Sequence, residues 1–91
     1  MPVITLPPQL AKLVDAPLTC KVDTTDLPEA LRVICKKFPG LKAKLFSGND
    51  FESFNRFVKV FVDGRDCGSR VQAMNLNVDS KIKVLIAMAG G

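Results

Sequence analysis

The chain contains no histidine, no tyrosine and no tryptophan, and only three cysteines. Without histidine, Ser-His and Cys-His nucleophilic pairs, His-ligated metal sites and the commonest general base are excluded. Cys20, Cys35 and Cys67 lie 15 and 32 residues apart, which fits no close-spaced zinc pattern, and three thiols cannot complete a four-Cys cluster. No metal site is expected, and the thiols read as small core or surface residues of a reducing compartment. There is no run of eighteen apolar residues, hence no expected membrane span. The opening Met-Pro-Val-Ile-Thr-Leu has neither the basic stretch nor the small-residue cleavage site of a signal peptide, so a cytoplasmic location is expected. Asp63 and Asp66 beside Gly64 are turn residues before they are acid/base candidates. The chain is expected to catalyse nothing alone.

What remains is an ordinary globular composition in 91 residues, 47% hydrophobic and 24% charged, enough for one domain with one modest core. The net charge of +4 is spread rather than blocked. Its densest cluster is Lys36, Lys37, Lys42 and Lys44. A basic patch is the footprint of phosphate binding, but Lys36 and Lys37 fall in the last turn of an expected helix, where cations complement the macrodipole. No aromatic platform accompanies them. Nucleic acid is therefore not an expected partner.

Val3-Ile4-Thr5-Leu6 is a β-rich run stopped by Pro7-Pro8, and Leu18-Thr19-Cys20-Lys21-Val22 alternates as a half-buried strand does. Together they predict a hairpin with a long loop from Pro7 to Pro17. Asp26-Leu27-Pro28-Glu29 has an N-cap acid, a first-turn proline and Glu three residues after the cap. Leu27, Ala30, Leu31, Ile34, Cys35 and Phe38 then form one apolar helical stripe, which Phe38-Pro39-Gly40 ends. Ser47-Gly48-Asn49-Asp50, among Phe46, Phe51 and Phe54, reads as an irregular turn or short helix. Phe57 to Val62 is a third strand closed by Asp63-Gly64, residues 65–70 a short fourth one, residues 72–79 a loop or single helical turn, and Lys81 to Met88 the last strand.

Strand parity puts Val58, Val60, Val62, Ile82, Val84, Ile86 and Met88 on inner faces. Phe57, Lys59, Phe61, Lys81, Lys83, Leu85 and Ala87 then share the outer faces. One helix covers only one side of a four- or five-stranded sheet, so Leu85, Phe57 and Phe61 are candidate exposed apolar residues. After the last strand stands Gly90-Gly91. With glycine near 7% of average usage, two at the last two positions arise by chance in roughly 0.5% of sequences. Gly-Gly carries the largest backbone entropy and stabilises no fold. The expectation is that the Gly91 carboxylate is itself the functional group, on a thin arm of Ala87, Met88, Ala89 and Gly90 that follows a domain of residues 1–86.

The order strand, strand, helix, strand, short strand, strand, then Gly-Gly, resembles the ubiquitin-like β-grasp fold, an α+β class with a mixed four- to five-stranded sheet on one main helix. Within it the chain resembles the bacterial and archaeal sulfur carriers: the small subunit of molybdopterin synthase, the thiamine-pathway carrier and the carrier of cysteine biosynthesis. The likeness covers nearly the whole chain and is most specific in FNRFVKVFVDGRD and KIKVLIAMAGG. Val78-Asp79-Ser80-Lys81 lacks the glycine that the family usually has before its last strand. The long connection between helix and third strand resembles the cysteine-pathway carriers more than the thiamine ones.

That resemblance implies a protein cosubstrate. An activating enzyme would use ATP to adenylate the Gly91 carboxylate, and sulfur would displace AMP to leave a thiocarboxylate for a second, sulfur-accepting enzyme. It implies no bound cofactor, no membrane partner and a free monomer. Counting back from the terminus, Leu85 occupies the exposed apolar position that the family uses for partner contact. Phe57 and Phe61 join it by parity. Two other readings stand beside this one: a ubiquitin-like modifier joined through Gly91 to lysines of target proteins, and a plain interaction module.

Overall fold

A computed structural model describes residues 1–47 and 51–87 of the chain. The expected arm residues Met88, Ala89, Gly90 and Gly91, and Gly48, Asn49 and Asp50 of the expected turn, lie outside the described residues. The elements run β1 (Val3–Thr5), α1 (Pro8–Leu13), β2 (Thr19–Lys21), α2 (Leu27–Lys37), α3 (Leu41–Leu45), β3 (Val58–Val62), β4 (Arg65–Asp66) and β5 (Lys81–Ile86). They build one five-stranded sheet in the order β2-β1-β5-β3-β4, with β5 parallel to β1 and antiparallel to β3. The expected mixed sheet on one main helix is therefore observed.

The sequence places the core. Ile4, Val60, Ile82 and Val84 are fully buried on the inner sheet face, and Leu27, Ala30, Leu31 and Ile34 of α2 are fully buried against it. Each buried Leu or Ile removes enough apolar surface from water to contribute about 1.5–3 kcal/mol before ordering costs. The Asp26 carboxylate caps α2 by accepting from the Glu29 N–H at 3.2 Å, Pro28 sits in the first turn, and Lys36 and Lys37 stand in the last. Gly40, at φ +95°, turns the chain from α2 into α3. Phe46 packs on Phe51 edge-on at 5.1 Å and on Phe54 stacked at 5.4 Å between ring centroids, closing the core below α3.

Three expectations are corrected. The segment read as a loop from Pro7 to Pro17 contains α1, with Pro8 at its first position and Leu10 and Ala11 buried; six residues are too few for a visible apolar periodicity. Leu18, grouped by alternation with the buried Cys20 and Val22, is 51% exposed, because β2 starts after it at Thr19 and Leu18 lies past the end of the sheet. The fourth strand is only Arg65–Asp66: the Cys67 N–H still donates to the Val60 carbonyl at 2.9 Å, and the chain then turns at Gly68, φ +79°, whose N–H donates to the Asp66 carboxylate at 2.8 Å.

Asp63-Gly64 makes the β3-β4 hairpin as expected, a two-residue loop between the paired Val62 and Arg65. Both loop residues have positive φ, 50° and 87°, as type I′ hairpins require. Asp63 also holds the glycine-free turn before β5. Its carboxylate accepts from the Lys81 N–H and from Ser80 Oγ, both at 2.9 Å, while its own N–H donates to the Lys81 carbonyl. The buried Ser80 hydroxyl in turn accepts from the Asn77 N–H at 2.8 Å. The Lys81 amide first, and the Ser80 hydroxyl second, hold the Asp63 pKa below its ordinary value. A depressed carboxylate contributes stability that is present above the unfolded pKa of about 4 and is lost as pH falls through the lower folded value. Asp63→Asn tolerates the positive φ but has one acceptor oxygen instead of two. It is expected to melt below wild type at neutral pH, with the two midpoints converging well below about pH 4; thermal melts across that range check this, and a gap that does not narrow refutes it.

Candidate functional site

β5 is central in the sheet, and it delivers the chain toward Gly91. Its alternation is realised: Ile82 and Val84 are buried and Ile86 half-buried on the inner side, while Lys81, Lys83 and Leu85 are exposed on the outer side. The antiparallel register sets Leu85 opposite Lys59 and Phe61 opposite Lys83. One step further, the Ala87 N–H donates to the Phe57 carbonyl at 2.8 Å. Leu85 thus has Phe57 and Phe61 as its two diagonal neighbours, at the separation where large side chains reach one another.

The structure brings the predicted residues together unequally. Leu85, 40% exposed, and the half-buried Phe61 line one open cleft of about 430 Å³ with Asp63, Gly64, Lys81 and Lys83. Phe57, 45% exposed, is not part of that cleft; the Arg56 guanidinium lies over its ring, 5.4 Å from the centroid. Lys59 pairs with Asp66 at 3.5 Å across the outer face. Lys21, Lys81 and Lys83 on the same side form no ion pair among the described residues. The face interleaves the apolar Leu85 and Phe61 with the cationic Lys59 and Lys83. Among the predicted arm residues only Ala87 is described, and it is exposed.

Sequence reasoning missed a second apolar area at the end of the sheet where β5 leaves it. Leu18 and Pro8 line a groove of about 370 Å³ with Leu85. Leu13, at the end of α1, lines another of about 210 Å³ with Ile86. The available signal was Pro7-Pro8 followed by Leu10, Ala11 and Val14, a proline-started turn with a buried side.

The thiols belong to the core. All three are free and buried. Burial pushes the Cys35 thiol up to about 11, against a smaller opposing pull from Lys42, and burial likewise raises Cys67. A thiol held protonated is a poor nucleophile. Among the described residues no group of His, Cys, Asp or Glu is arranged to hold a metal ion, and no helix is long and apolar enough to cross a membrane.

No protein-family model matches the sequence, and no curated protein does either. Solved structures do match. A chain of the Amycolatopsis orientalis BexX/CysO complex superposes with a TM-score of 0.79 at 20% identity, covering 100% of both chains. Mycobacterium tuberculosis CysO, described as an antigen, gives 0.79 at 15% identity over 97% of this chain and 100% of its own. SAMP1 from Haloferax volcanii gives 0.79 at 19% identity over 99% and 98%. The fold is a ubiquitin-like β-grasp. Within that β-grasp frame, the helix side of the sheet is core, and the opposite side carries Leu85, Phe57 and Phe61.

Proposed function

We propose that this β-grasp protein is a sulfur carrier whose Gly91 carboxylate is adenylated by a partner enzyme and converted to a thiocarboxylate. The observation that carries the reading is Gly90-Gly91 set four and five residues beyond the central strand β5, in a chain alike from end to end to CysO and SAMP1. A carboxylate is a poor acyl donor. In the proposed sequence, a carboxylate oxygen of Gly91 attacks the α-phosphate of ATP on the partner and pyrophosphate leaves. A sulfur nucleophile, with sulfide the simplest, then attacks the acyl carbon and AMP departs with the C–O bond electrons. This chain contributes reach and recognition. Ala87 to Gly91 extends at most about 17 Å, and glycine at the last two positions leaves no Cβ to obstruct a narrow channel.

Recognition falls to the outer face. Leu85 and Phe61 offer a small apolar anchor, which suits a partner that must bind and then release, since a few such anchors dominate interface energy. The chain of the BexX/CysO complex is one similar structure solved with a partner, which supports a docking role for a surface of this kind. In this reading the chain is a cosubstrate and not an enzyme, works in the cytoplasm, and hands its sulfur to a second enzyme in cofactor or cysteine biosynthesis. The small archaeal modifier protein 1 of Methanosarcina acetivorans, similar with a TM-score of 0.73 at 14% identity over 99% of this chain and 95% of its own, favours conjugation to lysines as a second reading. Covalent adducts on other proteins, lost without Gly91, would select that reading.

The first step is tested by ATP–pyrophosphate exchange with the cognate adenylating enzyme, which must depend on this chain. Leu85→Glu is expected to unfold within a few degrees of wild type, because the side chain is already exposed, yet to raise the KM for the carrier about tenfold or more, since the new charge must be desolvated on docking. Severe destabilisation, or an unchanged KM, would contradict the role given to Leu85.

A further inference from the structure

Among the described residues six large apolar side chains are exposed: Met1, Leu13, Leu18, Phe57, Val78 and Leu85. Four of them gather at one end of the sheet. Phe57 is bonded through its carbonyl to Ala87, the Leu18 carbonyl accepts from the Leu6 N–H just after β1, and Leu13 shares a cleft with Ile86, the last residue of β5. Met1 and Val78 lie at the opposite end, where β1 and β5 begin. Leu13 is 70% exposed and Leu18 51%, and neither belongs to the outer face assigned above.

The two clefts at this end adjoin, sharing Pro7, Gln9 and Ile86 in their walls. One holds Leu13 and the other Leu18. Among the described residues, the charged side chains lining the clefts are Lys44 and Lys83, and no carboxylate stands in either wall. Neither lysine forms an ion pair among the described residues.

We propose that the adenylating partner seats a second contact here, an apolar ridge flanked by carboxylates that packs on Leu13 and Leu18 and faces Lys44 and Lys83. The proposal rests on the carrier reading. Position supports it: Gly91 is five residues past Ile86, at most about 17 Å away, so a protein that binds the terminus comes within reach of the clefts that Ile86 lines. Charge selects the occupant. A second copy of this chain in a two-fold contact would bring the same lysines opposite one another, whereas an acidic-rimmed surface would be attracted to them and steered on approach. Among the described residues the wall is mainly aliphatic, without the aromatic platforms on which nucleic-acid bases stack.

The test measures ATP–pyrophosphate exchange by the cognate adenylating enzyme against concentration of the full chain. Leu13→Glu and Leu18→Glu are each expected to raise the carrier's KM about tenfold with kcat held, as loss of binding shared by ground and transition states does. Val78→Glu, equally exposed at the far end, is expected to match wild type. Lys44→Glu combined with Lys83→Glu is expected to flatten or reverse the fall of kcat/KM with added salt. Melting midpoints near wild type accompany each variant, because every substituted side chain is on the surface. Exchange with wild type but an unchanged KM in both leucine variants overturns this proposal alone. Self-association of wild type at assay concentration, abolished by the same substitutions, assigns the clefts to a second copy and also overturns it. No exchange with wild type overturns the carrier reading and this proposal with it.

Discussion

Deleting Gly91, or adding one residue after it, is expected to abolish chain-dependent adenylate formation while leaving the unfolding midpoint unchanged. The acyl oxygen must meet the α-phosphate of ATP in line, and one residue moves the terminus by about 3.4 Å. A misplacement of even about 1 Å can cost on the order of a hundredfold in rate. Stability should not respond, because a terminal glycine has no side chain to pack and chain ends contribute little to a core. Pyrophosphate exchange and thermal melts on the same preparations check both halves. Exchange at the wild-type rate in either variant would mean that the chemistry does not occur at Gly91.

Ile34→Ala is expected to cost about 2–5 kcal/mol, as deletion of a buried branched side chain does when the cavity cannot collapse. Ile34 is fully buried on the α2 face that meets the sheet, between Leu31 and Cys35. Collapse is restricted there because inner-face Ile4, Val60, Ile82 and Val84 are fixed by strand pairing. Lys37→Ala, one turn on and exposed, is expected to stay within about 0.5 kcal/mol. The two variants separate packing from helix propensity, since alanine is the better helix former in both cases. Denaturant titrations with a common slope give the comparison; equal losses at both positions would show that the helix does not present the face described.

The sheet and main helix were legible because their sequences agree at several levels. Asp26 caps, Pro28 fits the first turn, Leu27 to Ile34 repeat at helical spacing, and Asp63-Gly64 supplies the two positive φ values of its hairpin. The alternation of Lys81 to Ile86 predicted which side of β5 faces solvent, and Leu85 is exposed as that parity required. α1 is not legible in the same way: Pro7-Pro8 signals a break as readily as a helix start, and its two buried residues, Leu10 and Ala11, are too few to show a period. Leu18 was misplaced for a related reason, since alternation gives a face but not the point where pairing ends. The turn before β5 lacks a glycine and is instead held by Asp63 from seventeen residues away, a long-range bond that no local pattern announces. The second apolar area depends on both α1 and Leu18, so it became visible only once the chain was folded.

Thiocarboxylate formation at Gly91 tests the central claim most directly. The intact chain is incubated with ATP, a sulfide donor and its cognate adenylating enzyme, digested, and its C-terminal peptide weighed before and after a thiol-selective alkylating reagent. Replacing oxygen by sulfur and oxidising Met88 give nearly the same mass gain, so alkylation at Gly91 is the deciding reading. The account predicts an alkylated C-terminal peptide that requires both ATP and the enzyme. An active enzyme that leaves the Gly91 carboxylate unadenylated and free of sulfur would contradict it.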